Sequence, residues 1–243
     1  SFPTRRSSDL IALEASLASA YSNRGAVLVR RGDLDGGIAD FSKAIELAPD
    51  FAPAYVSRAY AWSKKGEDRK ALEDFDQALR LTPDNVAALI GRGNSLVRLG
   101  DLDAAIASFT RAIALQPDSA PAYQSRAYAW TKKGDDSRAL RDFDRTIQLQ
   151  PDNAAALASR ASVLTRLGSL NKALTDYSDA IKLDAGVYTY YYPGDYPTVE
   201  AVKFMSKQLA EASGGKLGVQ PFIGYPTSSS PPETSRFSRS KSS

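Results

Sequence analysis

The 243-residue sequence predicts an all-α solenoid of paired helices, and three observations carry the prediction. Segment 120–153, APAYQSRAYAWTKKGDDSRALRDFDRTIQLQPDN, nearly duplicates segment 52–85, APAYVSRAYAWSKKGEDRKALEDFDQALRLTPDN. Segment 86–119 between them keeps the same skeleton with different detail, which halves the 68-residue offset to a period of 34. Punctuation follows the same step, with prolines at Pro49, Pro83, Pro117 and Pro151 and glycines at Gly32, Gly66, Gly100, Gly134 and Gly168. A fixed period of this size marks stacked supersecondary units, each too small to bury its apolar face alone.

Five units follow, 18–51, 52–85, 86–119, 120–153 and 154–187, and each reads as two helices. The first helix of the second unit carries Tyr55, Ala59 and Trp62 at i, i+4 and i+7, one apolar face of a 3.6-residue helix, and Gly66 stops it. An acidic residue then offers a cap for the second helix at Asp33, Glu67, Asp101 and Asp135, with Ser169 in the fifth unit. Ala71, Leu72, Phe75, Ala78 and Leu79 then lie on one face of that helix, and Pro83 ends it. The aromatic column Phe41, Phe75, Phe109, Phe143, Tyr177 and the aliphatic column Leu47, Leu81, Leu115, Leu149, Leu183 run through all five units.

In order, Tyr55, Ala59, Trp62, Gly66, Ala71, Phe75, Ala78 and Pro83 make the second unit similar to a tetratricopeptide (TPR) repeat, and the other four units follow with few lapses. Gly37 stands for the small Ala, Thr146 for the equivalent of Ala78, and Ala185 for the final Pro. The usual aliphatic residue before the small one is replaced throughout, by Arg24, Arg58, Arg92, Arg126 and Arg160, as in a common bacterial "NRG" version of the repeat. The resemblance implies a right-handed α-solenoid. The arginine column is expected to meet acids on the second helix: Arg24 with Asp40, Arg58 with Asp74, Arg126 with Asp142 and Arg160 with Asp176, the third unit breaking the rule at Ser108.

The flanks differ in character. Residues 1–10, SFPTRRSSDL, look like the translation of a sequencing adapter, the alternative being a disordered basic leader. Ile11 and Leu13 fall 34 before Ile45 and Leu47, so 11–17 reads as the last turn of an earlier, truncated repeat. After the fifth unit, 188–197 reads as a Tyr/Pro/Gly-rich linker. Segment 198–213 reads as an amphipathic helix with Val199, Val202, Met205 and Leu209 on one face, and 214–243 as a loop and Ser/Pro-rich disordered tail. That helix is either a terminal cap of the stack or a joined foreign piece, since about 193–222 resembles the opening of the solute-binding proteins of TRAP-type transporters.

Composition narrows the chemistry. The chain has no Cys and no His, which removes disulfides, thiolate metal sites, His-containing triads and the usual zinc or iron sites, and no Gly-rich phosphate loop is present. Neither a cofactor nor a catalytic site is expected. No apolar run approaches the ~18 residues of a membrane helix. The net charge is only +3, whereas nucleic-acid binding needs a concentrated basic face. Recurrent carboxylates such as Asp74, Asp76, Asp142 and Asp144 repeat with the fold period and are assigned to the repeat rather than to a reaction.

In the family, the first helix of each unit lines a concave groove; Val56, Tyr60, Ser63 and Lys64 are the groove residues that this implies for the second unit. Carried along by 34, the Tyr60 column reads Ala26, Tyr60, Asn94, Tyr128, Ser162, and the Lys64 column reads Arg30, Lys64, Arg98, Lys132, Arg166. Five cations beside two tyrosines fit an extended acidic peptide, while the same cations also complement helix C-termini at ~0.3–1 kcal/mol each. The carboxylate clamp of some family members is not expected, because only Asn94 matches and its lysine column reads Ser22, Val56, Ile90, Gln124, Ala158. The expected function is a non-catalytic scaffold whose groove, lined by Arg30, Tyr60, Lys64, Asn94, Arg98, Tyr128, Lys132 and Arg166, binds an acidic protein or peptide. The alternative is an accessory region of a larger enzyme or transport-associated protein.

Overall fold

The computed structural model describes residues 3–183, with side chains from Ser16 onward. The chain divides into units 1–194 and 195–243, and the described residues all lie in the first. They form ten helices and no strand: α1 (Pro3–Arg30), α2 (Leu34–Leu47), α3 (Ala52–Lys64), α4 (Asp68–Leu81), α5 (Val86–Leu99), α6 (Leu102–Leu115), α7 (Ala120–Lys133), α8 (Asp136–Leu149), α9 (Ala154–Arg166) and α10 (Leu170–Leu183). Each helix packs on the one before and the one after. The first helices also touch one another across units, α1 on α3, α3 on α5 and α5 on α7. This is the α-solenoid of helix pairs that the period implies. The expected linker, amphipathic helix and tail beyond residue 187, and Ala185, lie outside the described residues.

The core is a column rather than a centre. Phe41, Phe75, Phe109 and Phe143 are buried in turn, one per unit, each beside small residues such as Ala59, Ala71 and Ala78. Small residues recur because two helices of one unit and the next must all approach the same ring. Gly91 is the extreme case, since a Cβ there would meet Phe75 Cζ at 2.2 Å; at Gly37 a Cβ would meet Val29 Cγ2 at 2.4 Å and the Gly25 carbonyl oxygen at 3.0 Å. Thr146 fits an alanine site because its buried hydroxyl donates to the Asp142 carbonyl at 2.9 Å.

Turns follow the sequence closely. Gly32, Gly66, Gly100, Gly134 and Gly168 take φ of +74° to +89°, the left-handed region where a Cβ is costly. Asp33, Asp101 and Asp135 cap the second helices by accepting from the backbone N–H three residues on. Glu67 occupies the same position without a side-chain cap bond. Its extra methylene carries the carboxylate past the N–H groups, and it lies 3.4 Å from Lys70 instead. Asn85 and Asn153 cap α5 and α9, a pair of starts unmarked in the sequence reading.

The N-terminal end departs from expectation. α1 runs unbroken through the segments read as a leader and as the end of an earlier unit. The physical reason is local: the position equivalent to Pro49 is Ala15, and no Pro or Gly lies between Pro3 and Gly25 to interrupt the helix.

Candidate peptide-binding face

The predicted pairing of arginines with acids is present in four units. Arg24 Nε and Nη2 donate to Asp40 at 2.6 and 2.7 Å, Arg58 to Asp74 at 2.8 and 2.7 Å, Arg126 to Asp142 at 2.8 and 2.9 Å, and Arg160 to Asp176 at 2.7 and 2.7 Å. Bidentate geometry of this kind gives the strong form of the ion pair. Hydrogen bonding to these carboxylates raises the pKa of Arg24, Arg58, Arg126 and Arg160 further, and the bond from Arg24 holds the Asp40 carboxyl below its ordinary range.

Each arginine from the second unit onward also reaches back to the second helix of the preceding unit. Arg58 Nη1 donates to Ser42 Oγ at 2.9 Å, Arg126 Nη1 to Thr110 Oγ1 at 3.0 Å and Arg160 Nη1 to Asp144 at 2.7 Å. This solves the third unit. Arg92 faces Ser108, whose hydroxyl accepts at 2.7 Å, and takes its carboxylate from Asp76 at 2.6 Å. Asp74, Asp76, Asp142 and Asp144 are thereby all engaged by arginines of the stack, which is what acids recurring with the fold period imply.

A second ladder joins the last turn of a first helix to the start of the second helix one unit earlier. Its rungs are Lys65–Asp35, Arg98–Asp68, Lys133–Asp103 and Arg166–Asp136. Arg98 Nε lies 2.8 Å from both Asp68 oxygens, and its Nη2 donates to Asp68 at 2.6 Å and also to Ser63 Oγ. Arg166 donates to Asp136 at 3.0 and 2.5 Å, a bond that raises its pKa.

These bonds sort the eight residues singled out in the sequence. Arg98 and Arg166 are held by carboxylates of the stack. Arg30 and Lys64 are exposed and make no ion pair among the described residues. Lys132 is exposed, with Nζ 5.3 Å from the centre of the Tyr128 ring, a cation–π contact. Tyr60 stands edge-on to the buried Phe75 ring at 5.1 Å and donates its hydroxyl to the Ala87 carbonyl of α5 at 2.8 Å. The residue is 38 % exposed, yet its phenol end is tucked into the α3–α5 junction, and burial there pushes its pKa up to about 12. Asn94 is half-buried on α5 between them in sequence.

An open recess of about 440 Å³ lies at the N-terminal ends of α5 and α7, walled by Ala87, Ile90 and Pro121 and rimmed by Gln116, Asp118 and Gln150. Sequence reasoning did not mark Ala87 or Pro121; both are small residues that leave space rather than fill it, and no apolar column signals them. Among the described residues, no group of three or more acids is placed to hold a metal ion, and no helix is long and apolar enough to cross a membrane.

Comparison with known proteins agrees with the architecture. The sequence profile of the tetratricopeptide repeat matches residues 22–86, 64–120 and 131–187, together more than half of the chain. No curated protein matches. Among solved structures, PilF of Pseudomonas aeruginosa is similar at 17 % identity and a TM-score of 0.71, covering 84 % of this chain and 87 % of its own. MamA from Desulfovibrio magneticus RS-1 is similar at 17 % identity and a TM-score of 0.63, over 68 % of this chain and 94 % of its own. YrrB, described as a TPR protein with an unusual peptide-binding site, is similar at 24 % identity and a TM-score of 0.57, over 69 % and 87 %. At these identities the likeness concerns the fold. The repeats are protein-interaction modules, and the profile matches extend from the first helix of the first unit to the end of the last unit: this chain belongs to the tetratricopeptide repeat family.

Proposed function

We propose that the chain is a non-catalytic scaffold that holds an extended acidic segment of a partner protein along the face formed by its first helices. The observation that carries this reading is the fate of the charges. The arginine column and its carboxylates are used up inside the stack, whereas the ends of the first helices hold eight cations, Arg30, Arg31, Lys64, Lys65, Arg98, Lys132, Lys133 and Arg166, of which four meet Asp35, Asp68, Asp103 and Asp136. A preponderance of positive charge at the helix ends next to Tyr60, Asn94 and Tyr128 offers carboxylate recognition together with flat apolar contact. YrrB supports the reading only in that peptide binding occurs on this fold.

Charge here contributes mainly to capture rate and register, so affinity for an acidic peptide falls as salt rises. The test is to change Lys64 and Lys132 to Glu together and titrate a poly-Glu peptide and a poly-Lys peptide at two ionic strengths. We expect the parent to bind poly-Glu with a clear salt dependence and the variant to lose that binding. Unchanged poly-Glu binding by the variant, with no salt dependence in the parent, returns these cations to helix capping.

A further inference from the structure

The junctions between successive units are all made by the same two surfaces, the outer side of a second helix and the first helix that follows it. Two columns of small residues on the first helices are fully buried there. Ala54, Ala88 and Ala122 pack on the preceding unit in one column, and Ala61, Ala129 and Val163 do so in the other. Their counterparts on α1 are Ala20 and Val27, and both are exposed, Val27 by more than half. The opposite end of the stack shows the matching gap. Ile45, Leu79, Ile113 and Ile147 are partly covered, whereas Ile181 in the same column of α10 is half exposed. Polar groups repeat the pattern. Arg58, Arg92, Arg126 and Arg160 each reach the preceding second helix, while Arg24 bonds only to Asp40 of its own unit. Ser42 donates its hydroxyl to the Ile38 carbonyl at 2.8 Å and accepts from Arg58 at 2.9 Å. Ser178, in the same column of α10, donates to the Leu174 carbonyl at 2.7 Å, and no arginine among the described residues reaches it.

We infer that the two faces bind each other across copies of this chain: α10 of one copy takes α1 of the next in the place of a following first helix, with Arg24 Nη1 donating to the Ser178 hydroxyl as Arg58 donates to Ser42. The α10 face calls for small residues and an arginine in a fixed order on one helix, and α1 carries them in that order with the preceding-unit contacts unmade. The ladder between units also has its counterpart. Arg31 stands in the column of Lys65 and Lys133, and Asn171 in the column of their acids Asp35 and Asp103, so an amide oxygen replaces the carboxylate as acceptor. Exposed apolar ends are what terminal repeats of a solenoid ordinarily avoid by a polar outer face. Because the two surfaces differ, each added copy leaves one α1 face and one α10 face open, and association continues past the dimer.

The test is sedimentation velocity of the 243-residue protein from micromolar to millimolar concentration, where a series of species that lengthens with concentration is expected. Val27→Asp blocks the α1 face and Ile181→Asp the α10 face; both positions are exposed, and circular dichroism checks that each variant keeps its helicity. Each variant alone is expected to stay monomeric. Mixed in equal amounts, the two are expected to pair one to one and stop there, because the mixture joins the intact α10 face of one variant to the intact α1 face of the other. Ser178→Asp supplies the carboxylate that Asp76 and Asp144 give to Arg92 and Arg160, and is expected to tighten association about threefold at low salt. A monomer at every concentration overturns the inference. So does a dimer abolished by only one of the two blocking variants, which marks pairing of like ends, and so does a mixture that stays monomeric.

Discussion

Replacing an aliphatic core residue by arginine in all five units is tolerable only because every guanidinium finds a carboxylate. Arg58 and Arg126 have 21 % and 18 % of their side chains exposed and face acids that are 9 % exposed. Removing such a partner strands a buried carboxylate, which for a fully enclosed pair costs ~3–5 kcal/mol. At this partial burial, Arg58→Ala is expected to cost about 1–3 kcal/mol in urea unfolding. Arg24, with 65 % of its side chain in solvent, is expected to cost clearly less when changed to Ala. Equal losses would contradict the assignment of the column to the core. The same contacts set a pH dependence. Asp40 has a folded pKa below its unfolded value near 3.9, so the unfolded chain binds the proton first as pH falls. Its stabilising contribution is present above about pH 4 and is lost as pH drops through the folded value. Asp40→Asn is therefore expected to flatten the stability curve below pH 4, measured as the urea midpoint against pH. The within-unit pairs were legible in the sequence because a 16-residue offset inside one unit recurs four times. The partner of Arg92 was not, because Asp76 sits 16 residues back in another unit, and only the packing of α4 against α5 brings it near.

Among elements, what repeated was readable and what depended on the approach of one helix to another was not. The aromatic column, the glycine stops and three of the acidic caps lie where a 34-residue step puts them. Glu67 failed as a cap for want of reach, and α1 failed to break where Ala15 replaces a proline. The ladder between units was hidden for a similar reason: its cations look alike as basic helix ends, and their acids shift with them, Asp35 and Asp103 lying one position further along their units than Asp68 and Asp136. Core columns also imply graded energetics along the stack. Phe109 is fully buried among Leu96, Val97, Ala105, Ile106 and Ala129, residues of the third and fourth units. Phe109→Ala is expected to cost ~3–5 kcal/mol and to loosen both neighbouring units. Tyr177, 9 % exposed in the last described unit, is expected to cost less when changed to Ala, because terminal units fray. Thermal unfolding of the two variants decides it, and equal shifts in Tm would count against a cooperative stack.

For the whole molecule, the two ionic ladders and the column of rings divide the labour of the surface. Second helices give their acids to the arginine column and to the basic ends of the first helices one unit on. Fold follows from the 34-residue period and family from the residues that repeat with it, whereas the face proposed to take a ligand was placed by the likeness to the family. The most direct test of the central claim is positional. A photoreactive amino acid is placed singly at Val56, Asn94 and Gln124 on first helices and at Glu73, Ala107 and Arg141 on second helices, and each protein is irradiated with the poly-Glu peptide. The account predicts adducts from Val56, Asn94 and Gln124 that disappear at high salt; adducts from Glu73, Ala107 or Arg141 in their place would contradict it.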